Sequence, residues 1–157
     1  MRLIVFSDTH GDINQIKKIT EMHPEADKYI FLGDGEDAVK AFLSTQSIPL
    51  ISVRGNCDFY SKAPYSTVFE CEGKRIACTH GHLFGVKSSL VHIKEFALAN
   101  KADVLLFGHT HVAHEEYDDG LYILNPGSAA RPRFGNPSYG IVDITPSGIA
   151  AFSAKIK

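Results

Sequence analysis

The residues of this sequence that could do chemistry recur in short polar motifs, each directly after an apolar segment. Seven of them belong to types that bind divalent metal ions: Asp8, His10, Asp34, Asn56, His80, His109 and His111. Imidazole combined with carboxylate and amide oxygens suits Mn, Fe, Co, Ni or Zn better than a thiolate-seeking metal. Seven groups are too many for one tetrahedral ion and suit two ions about 3.5–4 Å apart, which can clamp the attacking and leaving oxygens of an in-line displacement. Asp34 is the predicted bridge, since it is an isolated carboxylate between the other clusters.

Five apolar segments rich in β-branched and aromatic residues precede these motifs and are predicted to be buried strands. They are Leu3–Phe6, Lys28–Leu32, Ile48–Val53, Arg75–Cys78 and Val104–Phe107. In open α/β sheets, ligands bind in the crevice outside the carboxyl ends of the strands. Loops that follow different strands can therefore bring distant ligands to one place.

Helical patterns separate several of these strands. They are marked by apolar spacing and candidate N-caps: Asp12 before Ile13, Ile16 and Ile19; a shorter helix at residues 36–44; and Ser88 before Leu90, Ile93 and Ala97.

The sequence after Phe107 changes to short strand patterns separated by turns. These are Val112–Tyr117, Leu121–Leu124, Tyr139–Ile144 and Ile149–Ser153. Helix-separated strands imply parallel pairing with right-handed crossovers, whereas the hairpin-like later strands imply antiparallel additions. We expect mixed sheets flanked by helices, in a single domain of residues 1–157.

The overall composition limits the classes of function. A formal net charge of -2 argues against a protein that binds nucleic acid through an extended basic surface. The three cysteines have neither CxxC spacing nor a small secreted scaffold around them, so we expect reduced thiols and a cytoplasmic location. No apolar run approaches the roughly 18 residues that span a membrane, so no membrane partner is expected.

Five motifs in order carry a resemblance to a known family: Asp8-Thr9-His10, Gly33-Asp34, Gly55-Asn56-Cys57-Asp58, Thr79-His80-Gly81-His82 and Gly108-His109-Thr110-His111. They resemble the calcineurin-like metallophosphoesterases through most of the chain. The sequence is most similar to the small single-domain bacterial and archaeal branch, the YfcE-like phosphodiesterases, which the Asn125-Pro126-Gly127-Ser128 segment also fits. The resemblance implies an α/β (α+β) fold, a four-layer sandwich of two mixed β-sheets flanked by helices.

The resemblance also implies a division of the ligands and a reaction. One ion would be held by Asp8, His10, Asp34 and His111, and the other by Asp34, Asn56, His80 and His109. A hydroxide bridging the ions would attack phosphorus and hydrolyse a phosphodiester bond, because bound metal lowers the pKa of water towards neutrality. Two divalent ions are expected, Mn first, with Ni, Fe, Co or Zn as alternatives. The expected substrate is a small phosphodiester or a nucleotide-like molecule.

Cys57 marks a departure from the family pattern. Many relatives have a histidine directly after the asparagine, thought to contact the phosphoryl group or to protonate the leaving oxygen. Asn56, Cys57 and Asp58 are the predicted catalytic residues, but a thiol with an ordinary pKa of about 8.5 is a weaker proton donor than an imidazolium near pH 7. We therefore predict a preference for activated or diester substrates over simple monoesters with poor leaving groups.

The predicted substrate contacts are Thr110, His82 and Arg133. For His82, which follows the His80 motif, the alternative is a place in the pocket wall or behind a ligand. Arg131 and Arg133 lie in a Pro/Gly-rich loop and could bind phosphate through a bidentate fork, the alternative being a solvated surface. The single histidines elsewhere are expected to do no chemistry: His23, His92 and His114.

The alternative function is a non-catalytic protein-binding scaffold on the same fold, similar to the vacuolar-sorting subunit that resembles these enzymes. A scaffold can lose metal ligands freely, whereas the full set is present here, which favours an enzyme. A nuclease has little support because the sequence shows no extended basic groove. A homo-oligomer is a further expectation.

Overall fold

Ten strands form two five-stranded sheets in the computed structural model, which describes residues 1–157. The strands are β1 (Arg2–Phe6), β2 (Lys28–Phe31), β3 (Leu50–Ser52), β4 (Ser66–Cys71), β5 (Lys74–Thr79), β6 (Val104–Phe107), β7 (Ala113–Asp118), β8 (Leu121–Pro126), β9 (Ser138–Thr145) and β10 (Gly148–Lys155). The first sheet has the order β10-β9-β1-β2-β3, and the second has the order β4-β5-β6-β8-β7.

Both sheets are mixed, as predicted. In the first sheet β1, β2 and β3 are parallel, while β9 and β10 pair in antiparallel fashion. In the second sheet β5, β6 and β8 are parallel, and β4 and β7 lie antiparallel at the edges. The prediction that the late strands add only in antiparallel fashion was wrong for β8, because the β7–β8 hairpin places β8, rather than β7, beside β6.

Strand β4 has no counterpart among the predicted strands. It pairs with β5 across a two-residue turn at Glu72 and Gly73, whose φ angles are 51° and 71°. Most of its residues are only half-buried, so their apolar content does not stand out in the sequence. The glycine between two strand-like segments is the hairpin signal that could have revealed it.

Three helices cover the sheets: α1 (Asn14–Met22), α2 (Glu36–Leu43) and α3 (Val91–Ala99). They confirm the three predicted helices. The Asp12 side chain accepts a hydrogen bond from the N–H of Asn14 at 2.9 Å, whereas Ser89, rather than the predicted Ser88, accepts from the N–H of Val91 at 3.2 Å. The longest helices have nine residues, and none is long and apolar enough to cross a membrane.

The hydrophobic core has three parts, which define four layers. Leu3 of β1 and Ile76 of β5 belong to the cluster between the two sheets. The next residue of β1, Ile4, points to the opposite face because side chains alternate along a strand, and it packs with residues of α1 and α2. Ile93 of α3 packs on the outer face of the second sheet. The predicted four-layer sandwich is confirmed.

Candidate metal centre

The loops that follow β1, β2, β5 and β6 are joined by hydrogen bonds at one end of the two sheets. The N–H of Asp8 donates to the carbonyl of Gly33 at 2.9 Å, and the N–H of Gly108 donates to the carbonyl of His80 at 3.1 Å. The N–H of His109 donates to Oδ2 of Asp8 at 3.0 Å and so links the two sheets. The carboxyl ends of strands from both sheets therefore meet at one place.

One group of side chains lies between the loops after β1 and β6. The Nε2 atoms of His10 and His111 are 3.3 Å apart. Nε2 of His111 also lies 3.1 Å from Oδ1 of Asp8. The ligand atoms of these three residues all lie within 4.8 Å of one another, which is close enough for one ion to contact them together.

A second group surrounds the buried ring of His80. Its Nε2 atom lies 3.5 Å from Oδ2 of Asp34 and 3.2 Å from Oδ1 of Asn56. The same atom is 3.2 Å from Nδ1 of His109. It is also 4.0 Å from Oδ1 of Asp8, which joins the second group to the first.

Asp34 is the carboxylate that lies between the two groups. Its ligand atoms are within 4.8 Å of those of Asp8 and His80, and also within 4.8 Å of those of His10 and Cys57. The structure thus brings all seven predicted ligands into one cluster. A bridging role for Asp34 stays a prediction, and this position suits it.

Backbone carbonyls orient two of the imidazole rings. Nδ1 of His80 lies 2.7 Å from the carbonyl oxygen of Leu32, and Nδ1 of His111 lies 2.7 Å from that of Arg131. A carbonyl oxygen can only accept, so each Nδ1 must carry a proton. In the neutral ring the lone pair on Nε2 then points into the cluster, which is the arrangement of a metal-binding histidine.

Oδ1 of Asp8 tests whether the cluster fits metal ions. This buried atom has no hydrogen-bond partner, whereas Oδ2 of the same carboxylate accepts from the hydroxyl of Ser7 at 2.6 Å. Its neighbour, Nε2 of His111, has no proton to donate in the neutral tautomer. A buried carboxylate oxygen without a partner is costly unless positive charge compensates it. Contact with Asp8 accordingly raises the pKa of His111, so the site attracts positive charge and fits bound cations.

The pKa values of His109, His10 and Asp34 also suit metal binding. Burial lowers the pKa of His80, but the hydrogen bond with Asp34 and the charges of Asp8 and Asp34 outweigh burial and raise it. Burial, and then the nearby His80, lowers the pKa of His109 to about 4, and burial lowers the pKa of His10. Burial opposes ionisation of Asp34, but contact with the protonated form of His80 and hydrogen bonds from Cys57 outweigh it and hold the pKa of Asp34 below its ordinary value. Neutral imidazoles and an ionised carboxylate are the forms that metal ions require.

The backbone is unusual at the same positions. Eight non-glycine residues have positive φ angles, and five of them are predicted ligands: Asp8 (55°), His10 (47°), Asp34 (64°), His109 (69°) and His111 (59°). Non-glycine residues rarely adopt this region, at a cost of about 1–3 kcal/mol each. Strain concentrated in one cluster is typical of functional sites, where the direction of the side chain matters more than local stability.

Comparison with known proteins agrees with this geometry. The model of the calcineurin-like phosphoesterase superfamily domain matches residues 1–147. The chain belongs to that superfamily. The probable metallophosphoesterase YsnB of Bacillus subtilis is 35% identical over 137 residues, which cover 85% of this chain and 78% of YsnB. Phosphodiesterase YfcE of Escherichia coli is 32% identical over an alignment that covers 91% of this chain and 88% of YfcE. The resemblance inferred from the motifs is confirmed.

Solved structures share the fold of this superfamily member. A predicted phosphoesterase from Streptococcus pneumoniae superposes with a TM-score of 0.80 and 27% identity, over 98% of this chain and 97% of that one. Vps29 of Entamoeba histolytica, solved in complex with zinc, superposes with a TM-score of 0.78 over the whole of both chains. Its 20% identity makes the likeness to Vps29 one of fold alone.

Asp58, a predicted catalytic residue, lies behind Asp34 in this phosphoesterase-family chain. Its carboxylate accepts hydrogen bonds of 2.7–3.0 Å from four backbone N–H groups, those of Asp34, Gly35, Glu36 and Gly55. Burial alone would raise the pKa of Asp58, but these bonds outweigh burial and lower it. The carboxylate is fully engaged with the backbone, so we assign Asp58 to positioning the Asp34 loop rather than to catalysis.

Asn56 and Cys57 are exposed at the edge of the cluster. The N–H of Cys57 donates to Oδ1 of Asp34 at 2.8 Å, and Nδ2 of Asn56 lies 3.4 Å from Sγ of Cys57. Burial, with the hydrogen bond and charge of Asp34, raises the pKa of Cys57 to about 11. The thiol is therefore protonated at neutral pH, but it is a weaker acid than an ordinary cysteine.

The end of β8 and the segment after it hold the loops of the candidate ligands, a role that residue types alone do not reveal. Nδ2 of the buried Asn125 donates to the carbonyl of Gly108 at 2.9 Å and to Oγ1 of Thr110 at 3.0 Å. The hydroxyl of Ser128 donates to the carbonyl of Asp8 at 2.8 Å. The match of the Asn125–Ser128 segment to the family branch was the available signal in the sequence. In the structure, β8 runs parallel to β6 and ends beside the same loops.

Thr110 and His82, two predicted substrate contacts, lie at the cluster. Oγ1 of Thr110 is bonded to the backbone of Val112 as well as to Asn125. The ring of His82 lies 5.3 Å from that of His80, between centroids, and its Nδ1 atom is buried without a partner. Thr110 therefore holds its own loop, and His82 forms part of the wall around the ligands. The histidines expected to do no chemistry pair with glutamates elsewhere: His23, His92 and His114.

A groove of about 420 Å³ opens beside the cluster. Arg131 lines it together with His10 and Cys57. Arg133, the arginine predicted to contact substrate, is not among the lining residues. Its backbone N–H donates to the carbonyl of His111 at 3.0 Å. Of the two arginines, Arg131 is therefore the one placed to reach a phosphate beside the ligands.

Proposed function

We propose that this chain is a metal-dependent phosphodiesterase that hydrolyses small or nucleotide-like phosphodiesters at a dinuclear centre. The observation that carries the proposal is the unpartnered, buried Oδ1 of Asp8 among imidazole lone pairs. Such a site needs compensating positive charge, and its nitrogen and oxygen donors suit borderline divalent metals. The diester specificity rests on the similarity to phosphodiesterase YfcE.

The seven ligands divide between two ions as the family resemblance implies. Two divalent ions held there would activate water for attack on phosphorus and would neutralise the phosphoryl oxygens. Mn is our first expectation, and Ni, Fe, Co and Zn suit the same donors. The ligand sets are Asp8, His10, Asp34 and His111 for one ion, and Asp34, Asn56, His80 and His109 for the other.

Other groups of the chain prepare the site. The carbonyls of Leu32 and Arg131 fix the rings of His80 and His111, and Asp58 fixes the loop of Asp34. Groups that orient ligands in this way are worth about 10- to 100-fold in metal affinity. The resemblance implies a histidine at the position of Cys57 in many members of the superfamily, and the thiol is a weaker acid, so proton donation to a poor leaving group is expected to be weak. Diesters and activated esters should therefore react faster than simple monoesters.

A protein-binding scaffold is the second candidate, favoured by the likeness of fold to Vps29. Half of the chain also aligns with the Vps29 of Schizosaccharomyces pombe, at 38% identity over 77 residues. A scaffold does not require a complete ligand set or strained ligand backbones. Both are present here, which supports the enzyme. A cytoplasmic location, a single domain and a homo-oligomer stay predictions.

Hydrolysis by metal-stripped protein tests the proposal. Bis(p-nitrophenyl) phosphate and p-nitrophenyl phosphate are each supplied to the stripped protein and to protein with Mn, Ni, Zn or Mg restored. We expect diester cleavage that depends on added metal and exceeds monoester cleavage. No turnover with any of the metals would overturn the proposal and favour the scaffold.

A further inference from the structure

The groove beside the metal cluster is lined mostly by residues that are not candidate metal ligands. One end is formed by His10 and Cys57 at the cluster, and the walls are the start of α2 and the loop that ends at Ser61. Its volume of about 420 Å³ lies at the small end of the range for ligand pockets, roughly 300–1,000 Å³.

Two adjacent aromatic side chains line this groove. Phe59 is 77% exposed and Tyr60 is 93% exposed, so neither ring contributes appreciably to the core. Aromatic rings are costly to leave in water, and they are enriched at binding surfaces. Two such rings beside a candidate active site therefore point to a ligand with a flat, apolar part.

The loop that carries the two rings is held in place. Nη2 of Arg54 lies 3.2 Å from the carbonyl of Asp58 and 3.5 Å from that of Phe59. The N–H of Ser61 donates to the carbonyl of Asp58 at 3.1 Å. Because the Asp58 carboxylate also binds the N–H of Asp34, the aromatic loop and the metal ligand are positioned by one residue.

The charges in the groove allow a nucleotide. The Glu36 carboxylate is engaged with Ser52 at 2.9 Å and with Lys40 at 2.6 Å, so its charge is compensated. Asp37 is the acidic residue left exposed at the rim. Arg131 lies in the same lining and can pair with a phosphate through its guanidinium fork.

We propose that this groove binds the base of a nucleotide-like phosphodiester, stacked on Phe59 and Tyr60, with Arg131 directed to the phosphate. The inference rests on the proposed function and deepens it by naming the substrate class. The small volume suits one nucleoside rather than a chain of several nucleotides. The specificity of the site is thus for single aromatic substituents and not for an extended nucleic acid.

Adenosine 5′-monophosphate and ribose 5-phosphate form a matched pair of probes, because they differ only in the base. Calorimetric titration of Mn-loaded protein gives the affinity of each. We expect the base to tighten binding at least about fivefold, as base stacking on protein aromatics does. The combined substitutions Phe59→Ala and Tyr60→Ala should bring the two affinities together and leave that of ribose 5-phosphate unchanged. Tyr117→Ala, at another exposed aromatic residue, is the matched control and should preserve the difference.

Equal affinities in the parent protein, or a difference that survives the double substitution, would overturn the proposal. The titration needs no turnover, so its failure is distinct from failure of the proposed function. Metal-dependent diester hydrolysis together with equal affinities would refute base binding in the groove and leave the proposed function intact. Absence of hydrolysis with every metal would refute the proposed phosphodiesterase activity, and the groove would then have no role in binding a substrate.

Discussion

The carboxylate of Asp58 accepts a hydrogen bond of 2.7 Å from the backbone N–H of Asp34. Three further backbone N–H groups bond to the same carboxylate. The strained backbone of Asp34, with a φ of 64°, is therefore held by a side chain 24 residues further along the chain. We expect Asp58 to act through the position of Asp34, so that its effects on stability and on metal binding should appear together.

Replacing Asp58 by Asn should destabilise the fold. The amide keeps the size of the side chain, but it leaves backbone N–H groups without an acceptor, at a cost of about 2–3 kcal/mol in the free energy of unfolding. The pKa of Asp58 is lowered in the folded state, so its contribution is fully present above the unfolded value near 4 and is lost as pH falls through the folded value. The difference between variant and parent in the free energy of unfolding, measured with urea, should be smaller at about pH 3 than at pH 7.

The control for Asp58→Asn is Asp37→Asn. Asp37 is exposed in the first turn of α2, the helix whose first N–H groups bind the Asp58 carboxylate. It should change stability by no more than about 0.5 kcal/mol. A loss of stability in Asp58→Asn that is as large at low pH as at neutral pH would contradict the role of the ionised carboxylate.

Gly55→Ala should disrupt the metal centre by steric conflict. A Cβ atom at Gly55 would lie 2.0 Å from Oδ1 of Asp34 and 2.5 Å from its backbone nitrogen. The Asp34 carboxylate would have to move, and we expect Mn affinity to fall by at least about 10-fold. In Gly73→Ala the new Cβ meets nothing within 4 Å, so Mn affinity should be retained there. Equal Mn affinity in the parent and Gly55→Ala, measured by titration, would refute the predicted displacement.

Cys57→His should change the preference between diester and monoester substrates. Histidine has an ordinary pKa near 6.5 and donates a proton to a poor leaving group more readily than the thiol, whose pKa is raised to about 11. We expect the rate with phenyl phosphate, a simple monoester with a poor leaving group, to rise about 10-fold or more relative to the rate with bis(p-nitrophenyl) phosphate, whose leaving group needs no proton. An unchanged ratio of the two kcat/KM values would show that Cys57 does not limit leaving-group protonation.

Arg131 and Arg133 are alternative candidates for the contact with phosphate, and substituting each in turn distinguishes them. Arg131→Ala should raise KM for bis(p-nitrophenyl) phosphate about 10-fold, since a charge-assisted bond to phosphate is worth about 1.5–3 kcal/mol. Arg133→Ala should raise it less, because Arg133 does not line the groove. A larger effect at Arg133 would instead support the contact expected from the sequence.

The clustering of the candidate metal ligands could be predicted from the sequence, because it follows from their residue types and from their place after buried strands. His80 and Asp34 are 46 positions apart, yet each lies within three residues of the end of a strand that can be recognised from its apolar residues. The mixed sheets and the three helices followed from the same alternation of apolar patterns, whereas the four-layer sandwich was implied by the family resemblance. Strand β4 did not, because a half-buried edge strand has little apolar signal.

Roles that depend on the direction of a loop could not be predicted. Asp58 has the residue type of a catalytic acid, and only the folded loop shows that it faces four backbone N–H groups. Arg131 and Arg133 are two positions apart in an irregular segment, where no periodicity tells which one lines the groove. The structural role of Asn125 likewise depends on β8 lying beside β6, a pairing that short strand patterns do not specify.

Metal content and diester hydrolysis in Asp34→Asn test the central claim most directly. The amide keeps the oxygen that accepts the N–H of Cys57, but it lacks the charge of the carboxylate between the two ligand groups. The account predicts about two Mn ions per parent chain, fewer in Asp34→Asn, and a loss of bis(p-nitrophenyl) phosphate hydrolysis of at least about 100-fold. Asp119→Asn, at an exposed residue in the turn between β7 and β8, should match the parent in both measurements. Full metal content with undiminished hydrolysis in Asp34→Asn would contradict the account.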